Sequence, residues 1–373
     1  MRRRIVLAGA GHAHLDVIRQ AGRFAAAGIE LVLISPPTFL YSGLATAVLS
    51  GALQHEADVV DVEGLARAFG VLHICGEVQA VDRLAGQVRL SEGAPVAFDA
   101  ISFNVGSLVD DPDGLAASPD VWPVKPLERL LALRLRLEAD LTAGRRCASI
   151  VIAGGGQTAF EVAAALCGLC ERADAPPNIT VVGMPLAGHW APPQAARRLI
   201  KTLRDRGVSF VSDRVIARRS KLCVLASGGH LDCEALVLAT GLAAPDLMRR
   251  LGLATNPDGR LLTSNSLQAL DDKRVFAAGD CGVIQGDPRP CVGVFGVRAG
   301  PILTRNLLSF MSGARLAAFR PQRRWLSIMD LGDGTALALR GRAWWLGPSA
   351  LHVKRHLDHA FVRKMQRLPT KLK

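Results

Sequence analysis

Two glycine-rich turns hold the residues whose types and spacing could do chemistry. The first is 9–14 (GAGHAH) and the second is 154–159 (GGGQTA), and each lies between a short apolar run and a helical pattern. A strand, turn and helix of this kind present free backbone N–H groups to the diphosphate of a dinucleotide, and a side chain on the glycines would block that approach. The two turns therefore predict two nucleotide sites and suggest electron transfer between them.

Two later apolar segments must help to position these turns. Residues 234–241 (EALVLATG) predict a buried strand that ends in Thr-Gly, and residues 274–280 (RVFAAGD) predict one that ends in Gly-Asp. In order and spacing, the four segments resemble the pyridine nucleotide-disulfide oxidoreductase superfamily. The resemblance is to the branch without the redox disulfide, which includes type II NADH dehydrogenases and sulfide:quinone reductases.

Four short stretches resemble a narrower group within that branch. They are 11–14 (GHAH), 40–44 (LYSGL), 124–126 (VKP) and 293–300 (GVFGVRAG). In combination they are similar to the flavoprotein domain that some organisms carry fused to selenophosphate synthetase. The resemblance spans nearly the whole chain.

The resemblance implies an α/β fold of two nested Rossmann-like, two-dinucleotide-binding domains with a small C-terminal α/β extension. We expect residues 1–115 and 235–310 to form an FAD-binding domain, with residues 116–234 forming an NAD(P)H-binding-like domain inserted between them. The stretch 110–126 is dense in Asp, Gly and Pro, which favour loops, and is the expected crossing. Residues 311–373 form a basic C-terminal segment.

The resemblance also implies contacts to FAD. The implied contacts are Gly9, Gly11, His12 and Ala13 at the first turn, Ser35 and Val78 at the adenosine, Gly106 at the chain crossing, and Gly279 and Asp280 at the ribityl chain. Two positions depart from the family pattern. His14 stands at the third glycine position, and Ser35 stands where a carboxylate usually binds the ribose hydroxyls. A serine hydroxyl can still hydrogen-bond ribose, though less strongly than a carboxylate.

A predicted helix over 294–308 follows the Gly-Asp segment. In relatives its N-terminus points at the flavin, where the positive end of the helix stabilises the anionic reduced form. Phe295 and Gly296 are the expected contacts there. Lys125, within Val-Lys-Pro, matches a family position near the reacting part of the flavin, and its alternative is a surface charge.

The second turn is the expected NAD(P)H site, through Gly154, Gly156, Gln157 and Thr158. Glu161 matches a family glutamate near the nicotinamide, and a role in capping the helix is its alternative. Gly183 occupies the position where NAD-selective relatives carry Glu or Asp. The sequence therefore leaves NADH, NADPH or no nicotinamide cofactor open.

Eight cysteines are scattered through the chain in a pattern that favours reduced thiols. Cys167 and Cys170 form a C-x-x-C inside a predicted helix, where core packing is favoured over redox or metal duty because the face is rich in Ala and Leu. Cys281 and Cys291 flank a loop next to Asp280, so one of them could lie near the flavin. Small buried thiols are the alternative, and no metal site is expected.

The composition of the chain limits the classes of partner that it can bind. The chain has 373 residues, 49% hydrophobic and 21% charged, which is typical of a globular protein of two or three domains. The net charge of +12 could attract phosphate-bearing cofactors or anionic membranes, but no nucleic-acid-binding motif accompanies it, so we expect no nucleic acid partner. The apolar run after residues 1–4 is too short for a signal peptide, and none approaches the ~20 residues of a membrane span. We expect a cytoplasmic protein, either free or peripheral on the cytoplasmic membrane face.

The C-terminal segment ends in a predicted amphipathic helix over 350–367. Its apolar positions are Val353, Leu357, Ala360, Phe361, Met365 and Leu368, with lysines and arginines covering much of the remainder. Such a helix could lie on an anionic membrane. Docking on the protein itself or contact in a homodimer is the alternative.

Together these features predict an FAD-dependent oxidoreductase that takes electrons from NAD(P)H and passes them to a small-molecule acceptor, a quinone in our first hypothesis. The quinone-contacting Ala-Gln-x-x-Gln pattern of type II dehydrogenases is missing, since residues 296–299 read GVRA. A second hypothesis is an oxidoreductase of sulfide or selenium species that uses Cys281 or Cys291. A third is a non-catalytic flavin-binding sensor or assembly protein.

Overall fold

The computed structural model describes residues 3–184 and 190–366. The first strands are β1 (Arg3–Ala8), β2 (Ile29–Ser35), β3 (Thr38–Leu40), β4 (Val59–Asp61), β5 (Leu72–Cys75), β6 (Val78–Asp82), β7 (Gln87–Leu90), β8 (Val96–Ala97), β9 (Ala100–Phe103), β10 (Leu108–Val109), β11 (Val121–Pro123), β12 (Ile150–Ala153), β13 (Ile179–Val182) and β14 (Val208–Val211). The later strands are β15 (Val215–Arg219), β16 (Leu222–Leu225), β17 (His230–Asp232), β18 (Ala235–Leu238), β19 (Leu242–Ala243), β20 (Leu261–Thr263), β21 (Val275–Ala277), β22 (Gly282–Ile284), β23 (Ser327–Asp330), β24 (Ala336–Arg340) and β25 (Ala343–Gly347).

The helices are α1 (His12–Arg19), α2 (Ala21–Ala26), α3 (Ala45–Leu49), α4 (Val62–Ala68), α5 (Glu128–Thr142), α6 (Gln157–Arg172), α7 (Pro193–Asp205), α8 (Leu247–Arg250), α9 (Gly293–Ser312) and α10 (Pro348–Gln366). Short 3-10 turns cover Leu115–Ala117 and Gly279–Cys281. Within the described ranges, no helix combines the length and the apolar character that crossing a membrane requires.

The first sheet is parallel, in the order β21-β9-β1-β2-β5. Alternate residues of β1 belong to different hydrophobic clusters: Ile5 and Leu7 pack on one face, while Val6 and Ala8 pack on the other. Both faces are therefore covered, which explains why the strand is a continuous apolar run. Helices α1 and α9 pack against each other.

The second sheet repeats this arrangement in the order β11-β18-β12-β13-β14, again with parallel pairing. Ile150 and Ile152 of β12 pack in one cluster, and Val151 and Ala153 pack in another. The expected α/β fold with two Rossmann-like units is confirmed by the two parallel sheets together with the structural relatives described below.

One expected boundary differs from the strand pairing. A return to the FAD-binding domain at residue 235 would place β18 in the first sheet, whereas β18 pairs with β11 and β12 in the second. Its apolar run cannot reveal its sheet, because a buried parallel strand reads the same in either one. The chain therefore crosses back after β18, and the assignment of one domain to FAD and one to NAD(P)H stays a prediction.

The C-terminal extension consists of the antiparallel sheet β23-β24-β25 and the helix α10. Met329 and Leu337 of this sheet belong to the same core cluster as β12 and α6. Helix α10 docks on the protein, with Leu351, Val362 and Met365 buried. Of its expected apolar positions, Val353 is 36% and Leu357 51% exposed. Leu368 and the expected last residue of the helix, 367, lie outside the described residues.

Candidate functional site

One cavity of about 1300 Å³ lies at the carboxyl ends of the strands of the first sheet and reaches the start of α6. Its lining includes Gly9, Ala10, Gly11, His12, Ser35, Glu77, Val78, Asn104, Gly106, Ser107, Lys125, Gln157, Thr158, Glu161, Trp190, Asp246, Gly279, Asp280, Cys291, Gly293, Gly296 and Trp325. Ligands of open parallel sheets bind outside the carboxyl ends of the strands, so this is the expected place for a dinucleotide. Both glycine-rich turns contribute to it.

At the first turn, the backbone at the end of β9 leaves room only for glycine. A Cβ at Gly9, where φ is +85°, would lie 2.7 Å from the carbonyl oxygen of Asn104, and one at Gly11 would lie 2.6 Å from the same atom. The Gly11 amide donates to this oxygen at 3.1 Å. Turn and strand end are thus held in contact, with residues 9–12 facing the cavity.

Asn104 is a residue of this site that the sequence analysis missed. Its Oδ1 accepts hydrogen bonds from the amides of Ala13 at 2.8 Å and His14 at 3.2 Å, and its Nδ2 donates to the carbonyl of Ala278 at 2.7 Å. It therefore caps α1 from a distant strand. Ala13, an expected diphosphate contact, is fully buried and is not among the cavity residues. A polar side chain at the end of an apolar strand, two residues before Gly106, is the only sequence signal for this role.

His14, at the third glycine position, is fully buried. Its Nδ1 lies 2.6 Å from the Gly9 carbonyl, which can only accept, so Nδ1 carries the proton. Its Nε2 lies 2.8 Å from the hydroxyl of Ser102 and accepts from it. Burial lowers the pKa of His14 to about 4, so the ring is neutral at pH 7.

His12 lines the cavity and makes ring contacts on its other side. Its centroid lies 5.1 Å from Phe39, 5.7 Å from Tyr41 and 5.3 Å from Phe361 of α10. Burial lowers the pKa of His12 to about 4. A neutral imidazole therefore stands between the cavity and an aromatic cluster (Phe39, Tyr41 and Phe361).

Asp280 meets two polar partners at the crossing of the chain. The Lys125 ammonium donates to Asp280 Oδ2 at 2.8 Å and to Ser107 Oγ at 2.8 Å, and the Ser107 hydroxyl donates to the same Asp280 oxygen at 2.8 Å. Burial alone would raise the pKa of Asp280, but Lys125 and Ser107 outweigh it and the pKa is lowered. Asp280 is therefore a carboxylate at pH 7, with one oxygen left for a ligand. Gly106, with φ +73°, has open space beside its Cα.

The remaining FAD candidates divide into those that reach the cavity and one that does not. Ser35, Val78, Gly279 and Gly296 line it. Phe295 lies outside the lining; it is 8% exposed and its ring meets Trp325 edge to face at 5.4 Å. Because successive residues of a helix point in different directions, a cavity at the N-terminus of α9 touches Gly296 without its neighbour.

The second turn is also shaped by a neighbouring strand. A Cβ at Gly154 would lie 2.2 Å from the carbonyl oxygen of Ala239, after β18. Gln157 and Thr158 line the cavity, whereas Gly154 and Gly156 are not among its residues. The Gln157 side chain donates to Ser327 Oγ of the extension at 2.5 Å.

The sequence analysis missed two features of the second turn. Trp190 lines the cavity and donates from Nε1 to the carbonyl of Gly155 at 3.2 Å. At Gly183 a Cβ would lie 2.5 Å from the amide nitrogen of Gly155. This explains the glycine where relatives carry a carboxylate: with this backbone no side chain fits.

Glu161 lines the cavity and lies in the second turn of α6, so it does not cap the helix. Its Oε1 accepts from the Thr46 hydroxyl at 2.9 Å and the Asp330 amide at 3.3 Å. Burial raises the pKa of Glu161, although the ammonium of Lys354 opposes the shift. Lys354 itself donates to Asp358 at 3.0 Å. Sequence analysis missed Thr46 and Lys354, because they belong to α3 and α10.

The cysteines occupy three different settings. Cys281 is fully buried, its thiol directed at the carbonyls of Phe103 and Ala278, whereas Cys291 lines the cavity and is half-buried. Burial raises the pKa of Cys291 to about 11, so its thiol is protonated at pH 7. Cys170 packs in the core with its Sγ 2.8 Å from that of Cys147, not against Cys167. Among the described residues, no cluster of metal ligands is present.

Two parallel sheets around a shared cavity, each with its own glycine-rich turn, define a two-dinucleotide oxidoreductase fold. The family model described as pyridine nucleotide-disulphide oxidoreductase matches residues 3–295, and the chain belongs to this family of enzymes. The oxidoreductase class expected from the sequence is thereby confirmed.

Named relatives and solved structures agree with this membership. An NADH dehydrogenase-like protein of Mycobacterium tuberculosis is 27% identical over 287 residues, covering 73% of this chain and 71% of that protein. The type II NADH:quinone oxidoreductase NdhA of the same organism is 26% identical over 330 residues, covering 77% and 68%.

In fold, the chain is similar to the sulfide:quinone oxidoreductase of Aquifex aeolicus, with a TM-score of 0.80, 17% identity, and coverage of 98% of this chain and 91% of that one. It is also similar to NDH2 of Plasmodium falciparum, solved with NADH, with a TM-score of 0.81, 13% identity and coverage of 99% of both chains. The narrower resemblance to a domain fused to selenophosphate synthetase stays a prediction.

Proposed function

We propose that this protein holds FAD in the cavity and passes electrons from NAD(P)H to a small-molecule acceptor, a quinone. The observation that carries the proposal is the continuity of one cavity from the first turn, past Asp280, to Gln157 and Thr158 of the second. Electron transfer between two nucleotide cofactors requires that their reacting ends meet, and a shared cavity provides that meeting place.

The residues present fit FAD at both ends of its diphosphate. Gly9 and Gly11 pack so closely against Asn104 that neither has room for a Cβ, and both line the cavity, where a diphosphate can approach the backbone. Asp280 keeps an ionised oxygen for hydroxyl groups of the ribityl chain, held in place by Lys125 and Ser107. The N-terminus of α9 supplies positive potential beside Gly296. A bound flavin would supply two-electron redox chemistry at this place.

The second turn is the proposed place for NAD(P)H. Gln157 and Thr158 face the cavity at the start of α6, where free amides favour a diphosphate. Gly183 leaves no carboxylate to reject a 2′-phosphate, so either nucleotide can be the donor.

For the acceptor, we propose a quinone on the side of the cavity near His12, Phe39 and Glu161. Rings and a neutral imidazole suit an apolar, planar substrate. Glu161 has a raised pKa, so it can hold a proton beside the cavity until the reduced acceptor takes it. The names of the relatives NdhA and sulfide:quinone oxidoreductase support this acceptor class. Peripheral contact of α10 with a membrane, which would bring a lipid-soluble quinone within reach, belongs to the same proposal, and a homodimer contact remains its alternative.

The test is anaerobic titration of the purified, FAD-loaded protein. NADH or NADPH should bleach the flavin absorbance, and addition of a soluble quinone should restore it. Bleaching by neither nucleotide would contradict the proposal. Bleaching with no reoxidation by quinones would contradict the acceptor class only.

A second candidate is the oxidation of sulfide or selenide, because Cys291 lines the cavity. Bleaching of the flavin by sulfide or selenide alone, lost in Cys291→Ser, would favour this candidate. Cys281 does not reach the cavity, so Cys281→Ser serves as the matched control. A flavin that no donor bleaches would favour a sensor or assembly protein.

A further inference from the structure

The end of β2 offers no carboxylate to the adenosine ribose of FAD. Ser35, which ends β2, is 1% exposed. Its hydroxyl donates to the carbonyl of Pro36 at 2.8 Å, and its Oγ also lies 3.2 Å from Nε2 of His73. The single serine proton is therefore committed inside the protein, and no carboxylate stands at this strand end.

A carboxylate follows the neighbouring strand instead. Ser35 of β2 pairs in register with Cys75 at the end of β5, and Gly76 and Glu77 come directly after. Glu77 is exposed and lines the same cavity as Ser35 and Val78. Within the described part of the chain it has no hydrogen-bond or ion-pair partner. Glu77 is thus a carboxyl side chain at the cavity that is free to bind a ligand.

We propose that the Glu77 carboxylate accepts a hydrogen bond from the ribose 2′-hydroxyl of FAD, in place of the missing carboxylate at Ser35. This inference rests on the proposed FAD site. A carboxylate forms the stronger, charge-assisted type of hydrogen bond with a hydroxyl. The end of β5 lies beside the end of β2 in the parallel sheet, so moving the acceptor by one strand keeps it at the same rim of the cavity.

Another acid, Asp246, lines the cavity at this end. It precedes α8, which packs on β6 and does not belong to the first sheet. Because the ribose of a dinucleotide lies at the carboxyl end of β2 in this fold, Glu77 is the better placed of the two.

The experiment measures binding of FAD, 2′-deoxyadenosine FAD and FMN to the apoprotein by quenching of flavin fluorescence. The wild type should prefer FAD to the 2′-deoxy analogue by about 10-fold, the effect of one hydrogen bond to a charged group. Glu77→Ala should bind FAD about 10-fold more weakly and lose the preference. FMN, which has no adenosine, should bind both proteins equally. Glu92→Ala, an exposed acid in the β7–β8 turn outside the cavity lining, is the matched control.

Each other outcome contradicts a defined claim. A Glu77→Ala variant that keeps the preference, or a wild type that has none, would overturn the role of Glu77 while the FAD site stands. Loss of the preference in Asp246→Asn instead would assign the ribose contact to Asp246 and overturn the role of Glu77 as well. A wild type that binds no FAD would contradict the proposed function and this inference together. Glu77→Gln, which removes only the charge, separates a binding effect from a folding effect.

Discussion

The two glycine-rich turns share a motif but are built differently. The first is held by buried side chains: Asn104 caps α1, and the buried ring of His14 is hydrogen-bonded to the turn itself. In the second, no side chain among the described residues caps α6, and the first helical residue, Gln157, faces the shared cavity. The difference teaches that one motif can form a pre-organised site or an open one. This contrast agrees with a resident cofactor at the first turn and an exchangeable donor at the second.

The largest expected effect tests the crowding at the two turns. Gly11→Ala puts a Cβ 2.6 Å from Asn104, so we expect flavin affinity to fall by about 100-fold or more, with a loss of stability of about 1–3 kcal/mol. At Gly156, the equivalent position in the second turn, a Cβ would have no neighbouring atom within 4 Å. We therefore expect Gly156→Ala to bind flavin as the wild type does. Flavin released on heating, measured against protein concentration, checks both variants. Equal flavin content in the two would break the comparison.

A pH effect should come from the first turn through His14. The unfolded imidazole takes up a proton below pH 6.5, whereas the buried ring does so only near pH 4. The unfolded state therefore binds more protons between these values, and the contribution of His14, full above pH 6.5, is lost as the pH falls to 4. A shift of this size corresponds to about 3 kcal/mol. The free energy of unfolding, measured in urea at pH 7 and pH 4.5, should depend less on pH in His14→Gln than in the wild type. An equal pH dependence in the two proteins would contradict the role given to His14.

A somewhat smaller effect is expected from the cap. Asn104→Ala leaves the buried amide of Ala13 without a partner, at a cost of about 1–3 kcal/mol in the free energy of unfolding. Urea denaturation of the apoprotein measures this cost. Because flavin is absent, a change there reports the architecture of the turn and not the cofactor. No change would mean that the first turn needs no cap from β9.

The smallest effect sharpens the comparison from the side of the second turn. Gln157→Ala removes a bond to Ser327 and a cavity contact, so KM for NAD(P)H should change by a few-fold, since one neutral hydrogen bond contributes about 1 kcal/mol. Flavin content should stay at the wild-type value. Steady-state kinetics together with flavin content check the two expectations. Lost flavin would show that the turns are not independent.

Much of the frame could be predicted from the sequence because its signals are local. The apolar runs before the two turns form β1 and β12, and the helix expected over 294–308 is present as α9. The strands of the C-terminal extension are harder to predict, because small residues such as Ala336 and Ala338 are compatible with a helix as well as a strand. Within the cavity, the glycines were found by their spacing, whereas Asn104 and Thr46 have no motif of their own.

By itself, the sequence determined the family and the two strand-turn-helix units with glycine at their turns, because these depend on residues close along the chain. Only the tertiary structure decided which strand crowds each turn and that β18 joins the second sheet. It also decided that Thr46 of α3 reaches Glu161 of α6 and that Phe295 turns away from the cavity. Such contacts join residues far apart in the chain, so they depend on packing that no local pattern records.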